Sequence, residues 1–186
     1  KENKGYTQDR QPGIEADMNP KPVAELDEYK AAGKLKVKVA VITGGDSGFG
    51  RSVAILYAKE GANVAIGYYD EHQDVEDTVT RFKELGVDAK AYAHDLKDEQ
   101  QSKKLIDDVV KDFGSLNILV NNGGVQFPRD NFEDITPDQV KETFMTNIFG
   151  MMFLSQAAVP HLSKGDAIIN TTSVTAYRGS GHLIDY

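Results

Sequence analysis

Cysteine is absent from the 186 residues, so neither a disulfide nor a thiolate metal site is available. That absence suits a reducing compartment. The four histidines, His72, His94, His161 and His182, lack the close spacing of a ligand set, and no metal site is expected. Positive charge is in short supply: 21 Lys and Arg face 29 Asp and Glu, for a net charge of -8. A chain of that sign offers no broad electrostatic footprint for nucleic acid or an anionic membrane. No apolar run approaches the roughly 20 residues of a membrane span. The polar N-terminus carries no signal-peptide core, and the cytoplasm is the expected compartment. Solenoid-type repeats and low-complexity tracts are missing too. What remains is an ordinary globular composition, 40% hydrophobic and 27% charged, long enough for one real core.

Residues 1–34 differ from the rest. Pro12, Pro20 and Pro22 interrupt short polar stretches. They predict an extended arm, either disordered or packed on a neighbouring subunit. From Leu35 to Tyr186 two periods alternate. Val37, Val39, Ala40, Val41 and Ile42 predict a first strand, and further strands are predicted at 62–67, 89–93, 118–120 and 167–169. Between them Val53, Leu56 and Tyr57, then Val75, Val79, Phe82 and Leu85, then Leu105, Ile106, Val109, Val110 and Phe113 recur at helical spacing. Gly61, Gly86 and Gly114 close these helices. A long helix is predicted over about 137–162, with Pro137 in its first turn. Short, wholly apolar strands are expected to be buried on both faces. Strands alternating with helices predict an α/β fold with a parallel sheet and right-handed crossovers.

The chemistry starts at Thr43-Gly44-Gly45-Asp46-Ser47-Gly48-Phe49-Gly50, between the first strand and its helix. A tight turn there aims backbone N–H groups and the positive helix end at a pyrophosphate. Gly44, Gly48 and Gly50 supply the backbone freedom and close approach this requires. A purely structural strand-to-helix turn is the plainer alternative. Asp46 is expected to cap the helix.

The spacing T-G-x-x-x-G-x-G resembles the short-chain dehydrogenase/reductase family, and later motifs agree in order. Asn121-Asn122-Gly123-Gly124 is similar to the family's N-N-A-G, with Gly123 in place of alanine; Phe49 replaces the usual isoleucine. Ser173 and Tyr186 stand thirteen residues apart, the family's serine-to-tyrosine spacing, and Asn147 falls in the long helix. The resemblance covers about 35–186. The arm sequence Gln8-Asp9-Arg10-Gln11-Pro12-Gly13 and the ending Leu183-Ile184-Asp185-Tyr186 resemble a bacterial general-stress and aldehyde-reductase-like subgroup. The resemblance implies a Rossmann-type doubly wound sheet that lacks the family's C-terminal strands. It implies a dinucleotide held by Gly44, Asp46, Ser47, Gly48, Phe49 and Gly50, by Tyr68, by Asp95 and Leu96, and by Asn122, Gly123 and Gly124. Asp95 would help to hold the adenine ring. Tyr186 would be the acid/base, Ser173 the donor to the substrate oxygen and Asn147 the anchor of a water. The plainer readings are a turn serine for Ser173 and a helix-buried polar residue for Asn147.

Alcohol oxidation needs a base for the proton and a cofactor for the hydride. Free tyrosine titrates near pH 10 and needs a cation beside it to act at neutral pH. The family supplies a lysine four residues after the tyrosine, beyond the last residue here. A truncated chain, inactive by itself, is therefore expected. The parent protein is expected to move a hydride between NAD(P) and a small aldehyde, ketone, alcohol or sugar. A non-catalytic dinucleotide sensor is the alternative. The residue near the end of strand two that decides the cofactor is Tyr68, neither acid nor base. Asp46 and Asp70 lean the site to NAD, while Arg51 favours NADP. Phe144, Ile148, Met151, Met152 and Phe153 give the long helix more apolar surface than its sheet needs, which predicts a homo-oligomer. The resemblance makes it a tetramer.

Overall fold

The computed structural model describes residues 8, 10, 11, 13–26 and 28–186; Asp9 and Pro12 of the arm motif lie outside the described residues. Five parallel strands form one sheet: β1 (Val39–Thr43), β2 (Asn63–Tyr68), β3 (Ala89–Ala93), β4 (Ile118–Asn121) and β5 (Ala167–Asn170). Their order is β3-β2-β1-β4-β5. The intervening helices are α1 (Gly48–Lys59), α2 (His72–Leu85), α3 (Glu99–Phe113), α4 (Pro137–Phe144), α5 (Gly150–Ala158) and the short α6 (Thr175–Arg178). This is the doubly wound, Rossmann-type arrangement that the alternating pattern predicts.

The residue pattern of β1 shows how the layers form. Ala40 and Ile42 face a core with Ile55 of α1 and Phe82 of α2. Val39 and Val41 face the opposite core, with Leu105, Ile106 and Val109 of α3 and Leu154 of α5. A strand covered on both sides needs apolar residues throughout, and all five of its residues are buried. Burying a side chain such as Ile42 or Phe82 contributes about 2–3 kcal/mol. Sequence order reverses between β1 and β4. That reversal opens a crevice at the carboxyl ends of those two strands, the usual ligand position in such sheets.

Several boundaries differ from the sequence expectation. Val37 is not in β1: it sits in the preceding turn with φ 62° and is 89% exposed. A β-branched residue with positive φ is strained, so the turn there follows tertiary constraints and not local preference. The outer strands β3 and β5 are not buried on both faces. Each is a sheet edge, and Ile169 of β5 is 43% exposed. The long helix runs unbroken over 137–161 as expected, but changes its winding on the way: a π turn at Met145–Phe149 lies between α4 and α5. Gly86 and Gly114 close α2 and α3 in left-handed conformation, as predicted.

The arm packs on its own chain. Glu25 pairs with Lys59 of α1 (2.5 Å) and Arg81 of α2 (2.7 Å). Glu60 accepts the Lys34 N–H (2.7 Å) and the Tyr29 hydroxyl. Among the described residues these staples lie on the α1–α2 side. Phe144, Ile148, Phe149 and Met152 remain exposed on the other helices.

Candidate functional site

A cleft of about 440 Å³ opens at the carboxyl ends of the central strands. Its floor is built from two turns. After β1 the glycine turn folds back over β2, with Gly44 N–H (2.8 Å) and Gly45 N–H (3.4 Å) both donating to the Gly67 carbonyl. After β4, Asn122 N–H and Gly123 N–H each donate to the Thr43 Oγ1, both at 3.0 Å. Asn122 Nδ2 donates to the Thr43 carbonyl at 3.1 Å. Thr43, 1% exposed, therefore ties the two turns together. Leaving either buried N–H unpaired would cost about 1–3 kcal/mol.

The glycines of the first turn do different things. A Cβ on Gly50 would lie 1.9 Å from the Gly44 carbonyl oxygen and 2.6 Å from Asn122 Nδ2. Only glycine lets the start of α1 approach the turn so closely. Gly48 needs its freedom for another reason: its φ is +52°, while a Cβ there would meet nothing within 4 Å. Gly44, at φ +61°, combines both demands, since a Cβ on it would lie 3.0 Å from Gly123 Cα.

Gly44, Asp46, Ser47, Gly48, Phe49, Tyr68, Asp95, Leu96, Asn122, Gly123 and Gly124 all line the cleft, and Tyr186 stands at its wall. Gly50 lies behind the lining, as its packing requires. Asp185 positions the tail by accepting from Thr143 Oγ1 (2.8 Å) and Gln139 Nε2 (3.2 Å) of α4.

Ser173 and Asn147 do not line the cleft. Ser173 Oγ accepts from the Thr175 N–H (3.2 Å) and the Thr175 hydroxyl (2.9 Å), a turn serine at the start of α6. Asn147, in the π turn, clamps one residue: its Oδ1 accepts from Val125 N–H (2.8 Å) and its Nδ2 donates to the Val125 carbonyl (2.7 Å). These are the plainer contacts that each residue type favours by itself.

Asp46 does not cap α1, contrary to expectation. It is 3% exposed. Burial pushes its carboxyl upward, and the nearby Asp74 and Glu15 carboxylates push the same way. The cap comes from the arm. Glu15 Oε2 accepts the Gly48 N–H at 2.7 Å, and its Oε1 pairs with Arg51 at 2.6 Å. Glu15 thereby satisfies a donor at the helix start that Ser47 leaves without a side-chain partner.

Sequence reasoning missed several residues of this site, Glu15, Glu71 and His94 among them. Glu15 gave no local signal, because its partners are 33 and 36 residues away. Glu71 lines the cleft with Oε1 buried and without a hydrogen-bond partner. Burial raises its carboxyl pKa. His94 lines the cleft, 6% exposed, with both ring nitrogens unpartnered. Burial lowers its pKa and favours neutral imidazole. Gly67 makes room for that ring, since a Cβ there would sit 2.5 Å from His94 Cε1. The place of His94 at the carboxyl end of a parallel strand was its signal. The unpartnered ring nitrogens of His94, beside a turn in which Gly44 and Gly50 leave no room for a Cβ, fit a polar ligand such as a dinucleotide. Among the described residues no group of His, Asp or Glu is arranged to hold a metal ion.

Comparison with known proteins agrees with this geometry. The chain is 50% identical over 186 residues to general stress protein 39 of Bacillus subtilis (strain 168), covering 100% of this chain and 65% of that protein. The structure resembles a short chain dehydrogenase from Burkholderia cenocepacia J2315 in complex with NADP, at TM-score 0.78 and 34% identity, over 81% of this chain and 61% of that one. It resembles a short chain dehydrogenase from Mycobacterium paratuberculosis bound to NAD at TM-score 0.78 and 29% identity, over 82% and 62%. The chain thus spans a little under two thirds of these relatives. The short chain dehydrogenase model matches residues 38–186, and the chain belongs to that family.

Proposed function

We propose that this chain carries the dinucleotide site and the proton-transfer residue of an NAD(P)-dependent oxidoreductase. Its substrate would be a small aldehyde, ketone, alcohol or sugar. The observation that carries this reading is the single cleft that brings the glycine turn, the Asn122–Gly124 turn and Tyr186 together. The turn residues would hold the dinucleotide with the positive start of α1 facing its phosphates; the N–H groups of Gly44, Gly45 and Gly48 are themselves given to Gly67 and Glu15. The bound nicotinamide would supply or accept the hydride.

Tyr186 would give its hydroxyl proton to the substrate oxygen in reduction and take it back in oxidation. Ser173 Oγ is held by Thr175 outside the cleft, so it would have to turn toward the cleft to donate its proton to that oxygen. Asn147 spends both side-chain groups on Val125, so its main-chain carbonyl would be the anchor for a water. A lysine four residues beyond Tyr186 would lower the cost of the phenolate.

The charges that bear on cofactor choice are engaged elsewhere. Asp46 is buried, Asp70 pairs with Arg10, and Arg51 pairs with Glu15. The lean to NAD loses its basis, and the reading takes NAD or NADP. A cytoplasmic homo-oligomer belongs to the same proposal, supported by the exposed Phe144, Ile148, Phe149 and Met152.

The sensor reading draws on one observation: Ser173 and Asn147 both make local contacts that need no catalysis. Steady-state assays of the complete protein separate the two. Oxidation of NADH or NADPH in the presence of a panel of small carbonyl compounds is expected. Tight dinucleotide binding with no turnover on any of them would favour the sensor.

A further inference from the structure

The Gln8 side chain holds Ile14 of the arm at both backbone groups, accepting its N–H (2.7 Å) and donating to its carbonyl (2.6 Å). The next residue pins Ile14 to the body. Glu15 reaches Gly48 and Arg51, while the Glu15 and Ala16 N–H groups donate to Asp74 at 2.7 and 2.9 Å. Arg10 and Gln11 stand near the carboxyl end of β2. Gln11 lines the cleft there. Arg10 Nη2 lies 2.5 Å from Asp70 Oδ1 and 3.6 Å from Glu71 Oε1.

Resting on the dinucleotide reading above, we propose that Arg10, which stands beside the cleft next to the lining residues Gln11 and Glu71, is a specificity-determining residue: it makes this corner accept a ribose 2′-phosphate. Three carboxyl groups meet at the corner. Asp46 and Glu71 line the cleft, and Asp70 stands beside Glu71 with its side chain 49% exposed. An ionised carboxylate in any of these places repels a phosphate monoester, which carries nearly two negative charges at neutral pH. Burial pushes two of the three toward their neutral form. Asp70 has Arg10 as its counter-charge. A guanidinium is a planar fork with five donors, suited to a carboxylate and a phosphate oxygen together. Tyr68, at the position that decides the cofactor in such sheets, brings no charge of its own. The arm supplies that charge from outside the sheet, and Glu15 fixes where it stands.

Calorimetric titration with 2′,5′-ADP (adenosine 2′,5′-bisphosphate) and 5′-AMP tests the assignment, because the two differ only in the 2′-phosphate. The protein is expected to bind 2′,5′-ADP at least as tightly as 5′-AMP. Arg10→Ala is expected to weaken 2′,5′-ADP by about tenfold or more while 5′-AMP stays within about twofold. Arg10→Lys should restore part of the difference, since a point charge remains. Glu15→Gln, which releases the anchor, should move the ratio in the same direction. Circular dichroism checks that each variant is folded. An unchanged ratio in Arg10→Ala, or an equal loss for both ligands, overturns the assignment and leaves the dinucleotide reading standing. Failure of the unmodified protein to bind either ligand overturns both.

Discussion

The two ends of the cleft are built by different means. At the β1–β2 end the geometry belongs to the backbone: glycines pack at the limit of contact, and a buried threonine joins two turns. At the β4–β5 end it belongs to side chains on exposed or lightly held segments. Tyr186 is 41% exposed, and β5 is an edge strand paired only with β4. A backbone cradle is fixed by folding and resists single changes except where a Cβ must fit. A side-chain site depends on each neighbour that holds it. If the proposed function holds, dinucleotide binding and turnover of the complete protein should therefore fail separately.

The largest effect expected is at the side-chain end. Tyr186→Phe removes only the hydroxyl, and the proton transfer proposed for it would be worth about 10²–10⁴-fold in rate. Turnover of the complete protein should fall by at least that lower figure, with the dissociation constant for NADH or NADPH within about twofold of the parent. Steady-state kinetics and fluorescence titration on the same preparation read both quantities. Turnover within tenfold of the parent would remove Tyr186 from its role. A large parallel loss of dinucleotide affinity would mean that the two ends are not independent.

A pair of glycine substitutions divides the backbone end more finely. Gly50→Ala puts a methyl group 1.9 Å from the Gly44 oxygen, so the turn or the start of α1 must move. Overpacking of this kind costs about 1–3 kcal/mol, or more where backbone resists. Dinucleotide affinity should fall with stability, because the same turn serves both. Gly48→Ala meets no atom within 4 Å and bears only the strain of φ +52°, about 1 kcal/mol. For a chain of this size that is about 2–4 °C in Tm. Thermal melts alongside NADH titration rank the two. If Gly48→Ala were the more damaging, the close approach would lie at Gly48 in the bound state.

The same contrast explains how much of the molecule was legible in the sequence. Strands, helices and the glycine turn announce themselves by period and by residue type, since a parallel strand buried on both faces has few alternatives. The residues that line the cleft followed, because they sit at strand ends that the period locates. Ser173 and Asn147 were found by spacing, but spacing does not say where a side chain points; Thr175 and Val125 decide that. Val37 reads as strand and is held in a turn, because β-propensity cannot see the Lys38–Leu35 hydrogen bond that forms it. The arm was least legible. Its staples are ion pairs and caps between residues 26 to 60 positions apart, which leave no periodic trace.

Those staples give the smallest and most conditional effect. Glu60 is held down to about 2, first by the Tyr29 hydroxyl and then by the Lys34 and Ala32 N–H groups. Glu25 is also held at about 2, by Arg81 and then Lys59. Both groups start from 4.5 when free. A carboxyl whose pKa is depressed on folding stabilises the folded form above its unfolded value. That stabilisation is lost as pH falls from about 4.5 through about 2, because the unfolded chain takes up the proton first. The arm should thus loosen in acid before the sheet does, since β1 and its two cores hold no titrating group of this kind. Melting temperature should decline across that window, and limited proteolysis should cut within the arm while the body stays intact. Glu60→Gln keeps an acceptor oxygen but does not titrate, so its decline should be shallower. A Glu60→Gln protein with the parent's slope would place the acid sensitivity elsewhere. An arm that resists cleavage until the whole chain melts would join it to the backbone-built end as one cooperative unit.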